Sequence, residues 1–190
     1  MNNQIDYNFL NSEVNTIEMG KNLKMNYFSN GDKKFLLQTG IMKTFEEYVF
    51  FNRENIVKCI MDSILEDFGF QNIDQDTIKN LSIFSDSVVI INYNNVGDSV
   101  FKITSNELIH YSNEDIVELK NNVKLHNFKN NFLQTNRLFW NIEKNKILSL
   151  DSVLIQTSDK IINGCGFYSD DNFENYKIYN IKGVLQVESE

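Results

Sequence analysis

The sequence contains no proline, only two cysteines and two histidines, and no long apolar run in its 190 residues. Without proline, the turns must be made by Asn, Asp, Ser and Gly. Cys59 and Cys165 lie in segments predicted to be a helix and a strand, with no cysteine framework around them, so we expect two free, mostly buried thiols. No window reaches the roughly 18 apolar residues of a membrane span, and the first 20 residues lack the pattern of an export signal. We therefore expect a soluble chain without an export signal.

The charge balance argues against several classes of partner. The formal net charge is -8 and the pI is near 4.8. Such a chain repels phosphate backbones, and its lysines are dispersed, so we expect no nucleic-acid partner and no binding to an anionic membrane surface. With 42% hydrophobic residues, a chain of this length can form one domain that buries about 70% of its unfolded surface.

Alternating residues on both sides of Asn30-Gly31 predict a β-hairpin, because Asn and Gly supply the positive φ values of a tight turn. The apolar face of the hairpin is formed by Leu23, Met25 and Tyr27 before the turn and by Phe35, Leu37 and Thr39 after it. Residues 1–21 are polar and weakly periodic, which predicts a loose arm with an early strand around Ile17 to Met19.

Between Asn52 and Gly69 the apolar spacing changes to that of an amphipathic α-helix. Asn52 is a suitable N-cap, Gly69 suits the left-handed position after a helix, and Asp74 can cap a short turn through Asn80. We expect this helix to pack over a sheet. The predicted organisation is an arm at 1–21 and one β domain at 22–188 with a helical insertion at 52–80.

After Ile83 the pattern is one of dense short strands, typical of a jelly roll, a sandwich or a rolled sheet. The predicted strands are Val88 to Tyr93, Ser99 to Thr104, Leu108 to Tyr111, Val117 to Lys120 and Val123 to His126, followed by several between 131 and 187. A weak repeat of roughly 30 residues superposes Ser105-Asn106 on Thr135-Asn136 and Leu108 on Leu138, which indicates stacked strand units with one continuous core.

The residues that most often carry chemistry form no recognisable site. His110 and His126 have no partner at metal-ligand spacing. Cys165 and His110 could be drawn as a nucleophile and base, but no motif flanks them, and a small core residue is the better interpretation of Cys165. We therefore predict no catalytic residue, no metal and no cofactor.

Two further features have structural interpretations. Gly164 and Gly166 lie inside a strand pattern and are not followed by a helix, so they indicate a bulge, a bend or close approach by another backbone or a ligand. The Asp170-Asp171 pair falls in a turn and is expected to be solvated.

Bulky apolar residues lie along one face of many strands. They are Phe101, Ile103, Leu133, Leu138, Trp140, Ile155, Phe167, Tyr176 and Ile178. One interpretation is the core of an ordinary β-sandwich; the other is a rolled sheet whose inner face holds acyl chains. The two differ in volume, because a packed core has no gap larger than a water and a lipid site must have one.

The C-terminal half resembles the LptC family, the membrane-anchored periplasmic component of lipopolysaccharide export, in its Bacteroidetes form. The similar features are Leu-x-Thr-x-x-Leu-x-Trp at 133–140, the charged turn at 143–146, Asp159-Lys160-x-Ile162 before Gly164-x-Gly166-Phe167, and Phe173-x-x-Tyr176-x-Ile178 running to Gly183-Val184. Residues 99–127 resemble the middle of the family, with Asn121-Asn122-Val123 at its characteristic turn. The similarity covers about two thirds of the chain and is weak before residue 99.

The resemblance implies a mainly β fold: a twisted, partly open antiparallel β-jelly roll of the OstA-like type, here with one inserted α-helix. It implies a periplasmic scaffold that receives lipopolysaccharide from an inner-membrane ABC transporter and passes it to a soluble, LptA-like bridge protein. The nine apolar residues above would line the lipid groove. The partner-docking C-terminal edge would comprise Ile181, Gly183, Val184, Leu185 and Val187, with Gly183 allowing close approach of a partner backbone.

The chain departs from the family in three respects. One is Cys165 as the middle residue of the Gly-x-Gly-Phe step, which changes no expectation if it faces the core. The family's N-terminal membrane anchor or lipid-bearing cysteine is absent, so we expect either tethering to the inner membrane by a segment missing from this chain or delivery by another route. The helix that begins at Asn52 is an insertion that the family pattern does not explain. The alternative function is a β-sandwich adaptor without a lipid ligand, and an enzyme is a distant third.

Overall fold

The alternating sequence forms long strands in the computed structural model, which describes residues 16–29, 31–45, 62–69, 81–111, 115–128, 131–171, 173 and 175–186. The strands are Thr16–Ser29 (β1), Asp32–Phe45 (β2), Leu81–Tyr93 (β3), Ser99–Tyr111 (β4), Ile116–Asn127 (β5), Phe132–Asn141 (β6), Lys146–Gln156 (β7), Lys160–Asp170 (β8), Tyr176–Ile178 (β9) and Gly183–Gln186 (β10). One helix, Asp62–Phe68 (α1), lies between β2 and β3 in the described part of the chain. No helix among these residues is long and apolar enough to cross a membrane.

The ten strands form a single antiparallel sheet in which β1 to β8 follow one another as a meander. Beyond β8, the sheet continues with β10 beside residues 160–163 and with β9 beside residues 167–169. The predicted fold class, a mainly β, twisted, partly open antiparallel β-jelly roll with one inserted α-helix, is confirmed.

The predicted hairpin is present, with a register shift between Tyr27 and Phe28. Leu23 pairs with Thr39, Met25 with Leu37 and Tyr27 with Phe35, and the strands meet at Ser29 and Asp32. Gly31 has a φ of 86°, which glycine adopts without steric cost; Asn30 lies outside the described residues. Strand β1 begins at Thr16 and contains the early strand expected near Ile17, so the boundary proposed at residues 21/22 falls inside a strand.

The strands are longer than predicted because each continues through a local irregularity. Two predicted strands merge into β4 and two more into β5. The pairing register shifts at the middle of successive strand pairs, between 38 and 41, 85 and 88, 104 and 107, 120 and 123, 135 and 139, and 149 and 152. Such bulges bend a strand and increase its twist. Because they lie at one level across the sheet, they form a crease along which the sheet folds over itself.

Polar side chains stabilise this crease by hydrogen bonds to backbone carbonyl groups. The hydroxyl of Thr39 donates to the carbonyl of Ser85 at 2.7 Å, and that of Ser105 donates to the carbonyl of Glu107 at 2.9 Å. Thr135 donates to the carbonyl of Ser152 at 3.0 Å. Ser105 and Thr135, which the sequence repeat superposes, therefore share a structural role.

The crease divides the sheet into two halves whose inner faces share one core. The ring of Trp140, beyond the crease in β6, meets Phe101 at 5.6 Å and Phe35 at 5.5 Å, both edge to face and both from the other half. The buried core extends from Leu37 and Phe84 near one margin to Phe167 and Phe173 near the other. The two halves are thus held together by apolar and aromatic contacts across the fold.

Helix α1 covers the outer face of one half. Leu65 and Phe68 pack against a second cluster, formed by Leu81, Ile109, Tyr111, Ile116, Phe139, Leu148 and Leu150. Its C-terminus is held by the β6–β7 turn, because Asn141 donates to the carbonyl of Phe68 at 2.8 Å and the amide of Gly69 donates to the carbonyl of Leu65. The expected packing over a sheet and the expected helix end at Gly69 are confirmed; Asn52 to Met61 and the turn from Asp74 to Asn80 lie outside the described residues.

Backbone geometry explains why glycine occupies positions 164 and 166 of β8. A β-carbon at Gly164 would lie 2.5 Å from Cγ2 of Ile178 and 2.8 Å from the carbonyl oxygen of Tyr179. Gly166 has a φ of 90°. The predicted close approach of another backbone occurs at Gly164, and the predicted bend occurs at Gly166.

The expectation of a free thiol at Cys165 is wrong, because this cysteine is disulfide-bonded. It pairs in register with Ser152 on the outer face of the sheet and is not a small core residue. Spacing alone did not indicate the bond, since two isolated cysteines carry no framework signal. Cys59, the other cysteine of the sequence, lies outside the described residues.

Candidate functional site

An apolar, half-open cavity of about 500 Å³ lies between the two halves of the sheet, on the side of β1, β2 and β3. Its apolar lining comprises Met25, Tyr27, Phe35, Leu37, Met42, Phe84, Ile90, Leu108, Val117, Trp140 and Ile142. This volume is within the range of about 300–1,000 Å³ that is typical of small-molecule sites. Because five of these lining residues belong to β1 and β2, the hairpin forms one wall of the cavity. The packed core bounds the cavity on the side of β4 to β6.

A second, polar cavity of about 800 Å³ lies at the strand ends farthest from the crease. Its polar lining comprises Ser29, Lys34, Asn92, Tyr93, Asn94, Asn95, Asp115, Glu143, Lys144, Asn145, Lys146, Asp170 and Asp171. Amides, carboxylates and ammonium groups together offer both donors and acceptors, which suits a polar, hydroxyl-rich group.

Four side chains border both cavities: Tyr27, Phe35, Trp140 and Ile142. Tyr27 stacks on Phe35 with ring centroids 4.8 Å apart, and Phe35 meets Trp140 edge to face. We call Tyr27, Phe35 and Trp140 the aromatic partition. It separates an apolar compartment from a polar one, an arrangement that fits the two ends of an amphiphile.

The nine residues predicted to line a lipid groove all belong to the interior. Phe101, Ile103, Leu133, Leu138, Trp140, Ile155 and Phe167 are buried in the main core, with Tyr176 and Ile178 packed against it. Of these, Trp140 borders the described cavities and the other eight do not. Their assignment as groove residues stays a prediction, and the space observed lies beside the hairpin.

The sequence analysis missed most of the residues around the apolar cavity. The alternation of Met25, Tyr27, Phe35 and Leu37 predicted that they share one face of a hairpin. It did not predict that a cavity lies beside that face. The spacing of apolar residues is the same in a filled and an unfilled part of a sheet. A possible signal is methionine at positions 25 and 42, since flexible Met side chains are common on adaptable binding surfaces.

Three of the five residues of the predicted C-terminal docking edge, Gly183, Val184 and Leu185, lie in β10, and Ile181 precedes it. The backbone of β10 pairs with β8, from Gly183 opposite Asn163 to Gln186 opposite Lys160. Ile181 is 55% exposed, and a β-carbon on Gly183 would meet nothing within 4 Å. Val187 lies outside the described residues. At the opposite margin, β1 has no partner beyond β2 within the described ranges and exposes Met19 and Phe28.

The candidate chemical groups do not assemble into a reactive site. His110 borders the apolar cavity, whereas Cys165 lies on the outer face and is disulfide-bonded, so it is not the nucleophile of a thiol enzyme. The structure places His126 in a separate cavity with Lys102, Lys124 and Phe132. Where the structure describes the chain, it brings no three His, Cys, Asp or Glu residues together as metal ligands.

No family model matches this sequence, and no curated protein matches it either. Among solved structures, the chain is similar to LptH from Pseudomonas aeruginosa, described as the LptA homologous periplasmic component of the conserved lipopolysaccharide transport device. The identity is 10%, the TM-score is 0.45, and the match covers 58% of this chain and 85% of LptH. A similarity at this level supports no statement about ligands or partners.

The LptC assignment, the inner-membrane tether and the direction of transfer stay predictions, because a match at this level does not bear on them.

Asp171, which lines the polar cavity, is expected to make the stability of the protein depend on pH. Burial, with a smaller effect of neighbouring Asp170, raises the pKa of Asp171 to about 6, so the pair is not fully solvated as expected. Because the folded-state pKa exceeds the unfolded value, Asp171 favours folding below about pH 4, and this contribution is lost as the pH rises through 6. We expect Asp171→Asn to raise the free energy of unfolding at pH 8 and to leave it unchanged at pH 3.5, as measured by urea denaturation. An equal change at both pH values would contradict the assignment.

Proposed function

We propose that this chain is a periplasmic lipopolysaccharide-transfer scaffold, with the acyl chains held in the apolar cavity and the sugar head in the polar one. The observation that carries the proposal is the adjacency of the two cavities across the aromatic partition. A passive scaffold requires binding surfaces and no catalytic group, which agrees with the sequence analysis. The resemblance of residues 133–184 to LptC supports lipopolysaccharide as the amphiphile.

The two margins of the sheet supply the docking surfaces of the proposed scaffold. A strand edge presents unpaired backbone donors and acceptors that a partner strand can continue. The β1 edge, next to the apolar cavity, is proposed to receive lipid from the periplasmic domains of an inner-membrane transporter. The β10 edge, from Ile181 to Leu185, is proposed to bind a soluble bridge protein of LptA type.

The disulfide at Cys165 supports a location outside the cytoplasm. Disulfides form and persist in oxidising compartments such as the bacterial periplasm and are rare in reducing cytosols. Two features therefore favour the periplasm: the chemistry of Cys165 and the resemblance to LptC.

Passage of lipid from the β1 margin to the β10 margin requires the partition to open. The core between β4 and β9 is filled, with Phe101 and Phe167 fully buried. Acyl chains can move beyond the cavity only if Trp140 separates from Phe35 and Phe101. The filled part of the core is also what a sealed adaptor without ligand would have, so this alternative is tested by the same experiment.

Trp140 is the sole tryptophan of the chain and borders both cavities, so its fluorescence reports on occupancy. We expect lipopolysaccharide to cause a saturable change in Trp140 emission, with the same half-saturation point as direct binding measured with labelled lipopolysaccharide. Lipid-free polysaccharide serves as the control and should cause no change. An emission spectrum that stays constant at all lipid concentrations, together with absent binding, would favour the adaptor.

A further inference from the structure

A row of mostly polar residues crosses the inner face of the half of the sheet that contains Trp140. Thr44 pairs with Ser82, Ser82 with His110, His110 with Val117, and Val117 with Trp140. Residues directly opposite in an antiparallel sheet share a face, and all five border the apolar cavity. We call Thr44, Ser82, His110 and Trp140 the polar row.

The polar row has unused hydrogen-bonding capacity. The hydroxyls of Thr44 and Ser82 lie 3.2 Å apart and share one hydrogen bond, so one O–H group and several lone pairs remain available. The indole N–H of Trp140 is buried, with the residue only 2% exposed, and the structure gives this N–H no partner. Burial lowers the pKa of His110, an effect that Asp115 opposes, so the neutral imidazole can both donate and accept.

The rest of the cavity lining indicates which ligand oxygen fits. No lysine or arginine borders the apolar cavity among the described residues, and the charged group on it is Glu18, paired with Thr44. A phosphate or carboxylate would therefore meet no cation there. A hydroxyl group, which donates and accepts as the polar row does, fits better than a carbonyl, which only accepts.

We propose that the polar row binds a neutral hydroxyl group carried on an acyl chain, so that the cavity selects hydroxylated acyl chains over plain ones. The inference rests on the proposed function, because it requires acyl chains in the cavity. A plain chain displaces water from the half-buried Ser82 hydroxyl without replacing its hydrogen bonds, whereas a hydroxylated chain restores at least one of them. Trp140 also borders the polar cavity, which places the hydroxyl near the head-group end of the chain.

The test compares two neutral probes, the methyl esters of tetradecanoic acid and of β-hydroxytetradecanoic acid, as competitors of a fluorescent acyl probe on the full chain. We expect the hydroxylated ester to bind about tenfold more tightly. Thr44→Val and Ser82→Ala, which remove the hydroxyls at nearly constant shape, should reduce this preference to less than twofold by weakening binding of the hydroxylated ester. Trp140→Phe should reduce the preference as well.

Ser169→Ala is the matched control. Ser169 is a buried hydroxyl without a partner in the described structure. It lies opposite Ile147 and does not line the apolar cavity, so its removal should leave the preference intact. Equal affinities for the two esters, or a preference that persists in Thr44→Val and Ser82→Ala, would overturn the inference while leaving the lipid site standing. If neither ester and no lipopolysaccharide binds, the proposed function fails with it.

Discussion

Replacing Trp140 with alanine is expected to lower the free energy of unfolding by about 3–5 kcal/mol, the range for truncating a buried aromatic residue. Trp140 joins the two halves of the creased sheet through edge-to-face contacts with Phe35 and Phe101. Its loss leaves a cavity in the main core and removes the aromatic partition. Urea denaturation followed by circular dichroism measures the effect without relying on tryptophan fluorescence.

Trp140→Phe is the control for this substitution, because it retains a ring between the two halves. We expect it to cost less than half as much as alanine. A loss below about 1 kcal/mol for Trp140→Ala would be typical of a surface position and would show that the two halves are not held together at this residue.

Replacing Met25 with aspartate is expected to weaken lipopolysaccharide binding at least tenfold, which corresponds to about 1.4 kcal/mol. Met25 is half-buried on β1 and lines the apolar cavity. An acyl chain packed against a carboxylate must strip it of water, which is costly without a partner. Because β1 is a margin of the sheet, the free protein can keep this carboxylate hydrated and should remain folded.

Met19→Asp is the matched control, with the same change on the same strand. Met19 is 58% exposed and does not border the apolar cavity, so the new charge stays in water. Equilibrium binding of labelled lipopolysaccharide to the two variants compares the positions at equal net charge. Equal losses in both variants would indicate a general charge effect and would count against the cavity as the lipid site.

The parts of the fold that follow from local chemistry were predictable. Alternation around Asn30-Gly31 predicted the hairpin, although not the register shift between Tyr27 and Phe28 that sets its pairing. The superposition of Ser105 on Thr135 reflected a real equivalence, since both bond backbone groups at the crease. The strand glycines, Gly164 and Gly166, were likewise recognised as points of backbone irregularity.

The crease itself was not predictable from the pattern. Asp86, Ser87, Asn121 and Asn122 have positive φ values, and such polar residues between apolar runs indicate turns between separate strands. In the sheet they continue a strand through a bulge, because neighbouring strands bulge at the same level. The predicted strand ends at Thr104 and Lys120 were therefore wrong for a reason that lies in tertiary pairing.

The location of the cavity and the state of Cys165 also depended on long-range structure. The sequence predicts one continuous apolar face. In the structure, the space over this face is filled by side chains near Leu125 and Ile155 and is left open near Leu37 and Met42. Which part is filled depends on how closely the two halves approach, and the alternation of residues carries no information on that distance. The disulfide of Cys165 likewise depends on proximity after folding.

Site-specific photo-crosslinking in cells that contain lipopolysaccharide tests the central claim most directly. A photoreactive amino acid is placed at Leu37 or Met42, which line the apolar cavity, and at Leu125 or Ile155, which lie in the filled core. We predict lipopolysaccharide adducts at Leu37 and Met42, with weaker adducts or none at Leu125 and Ile155. Folded variants that yield no adduct at either cavity position would contradict the account.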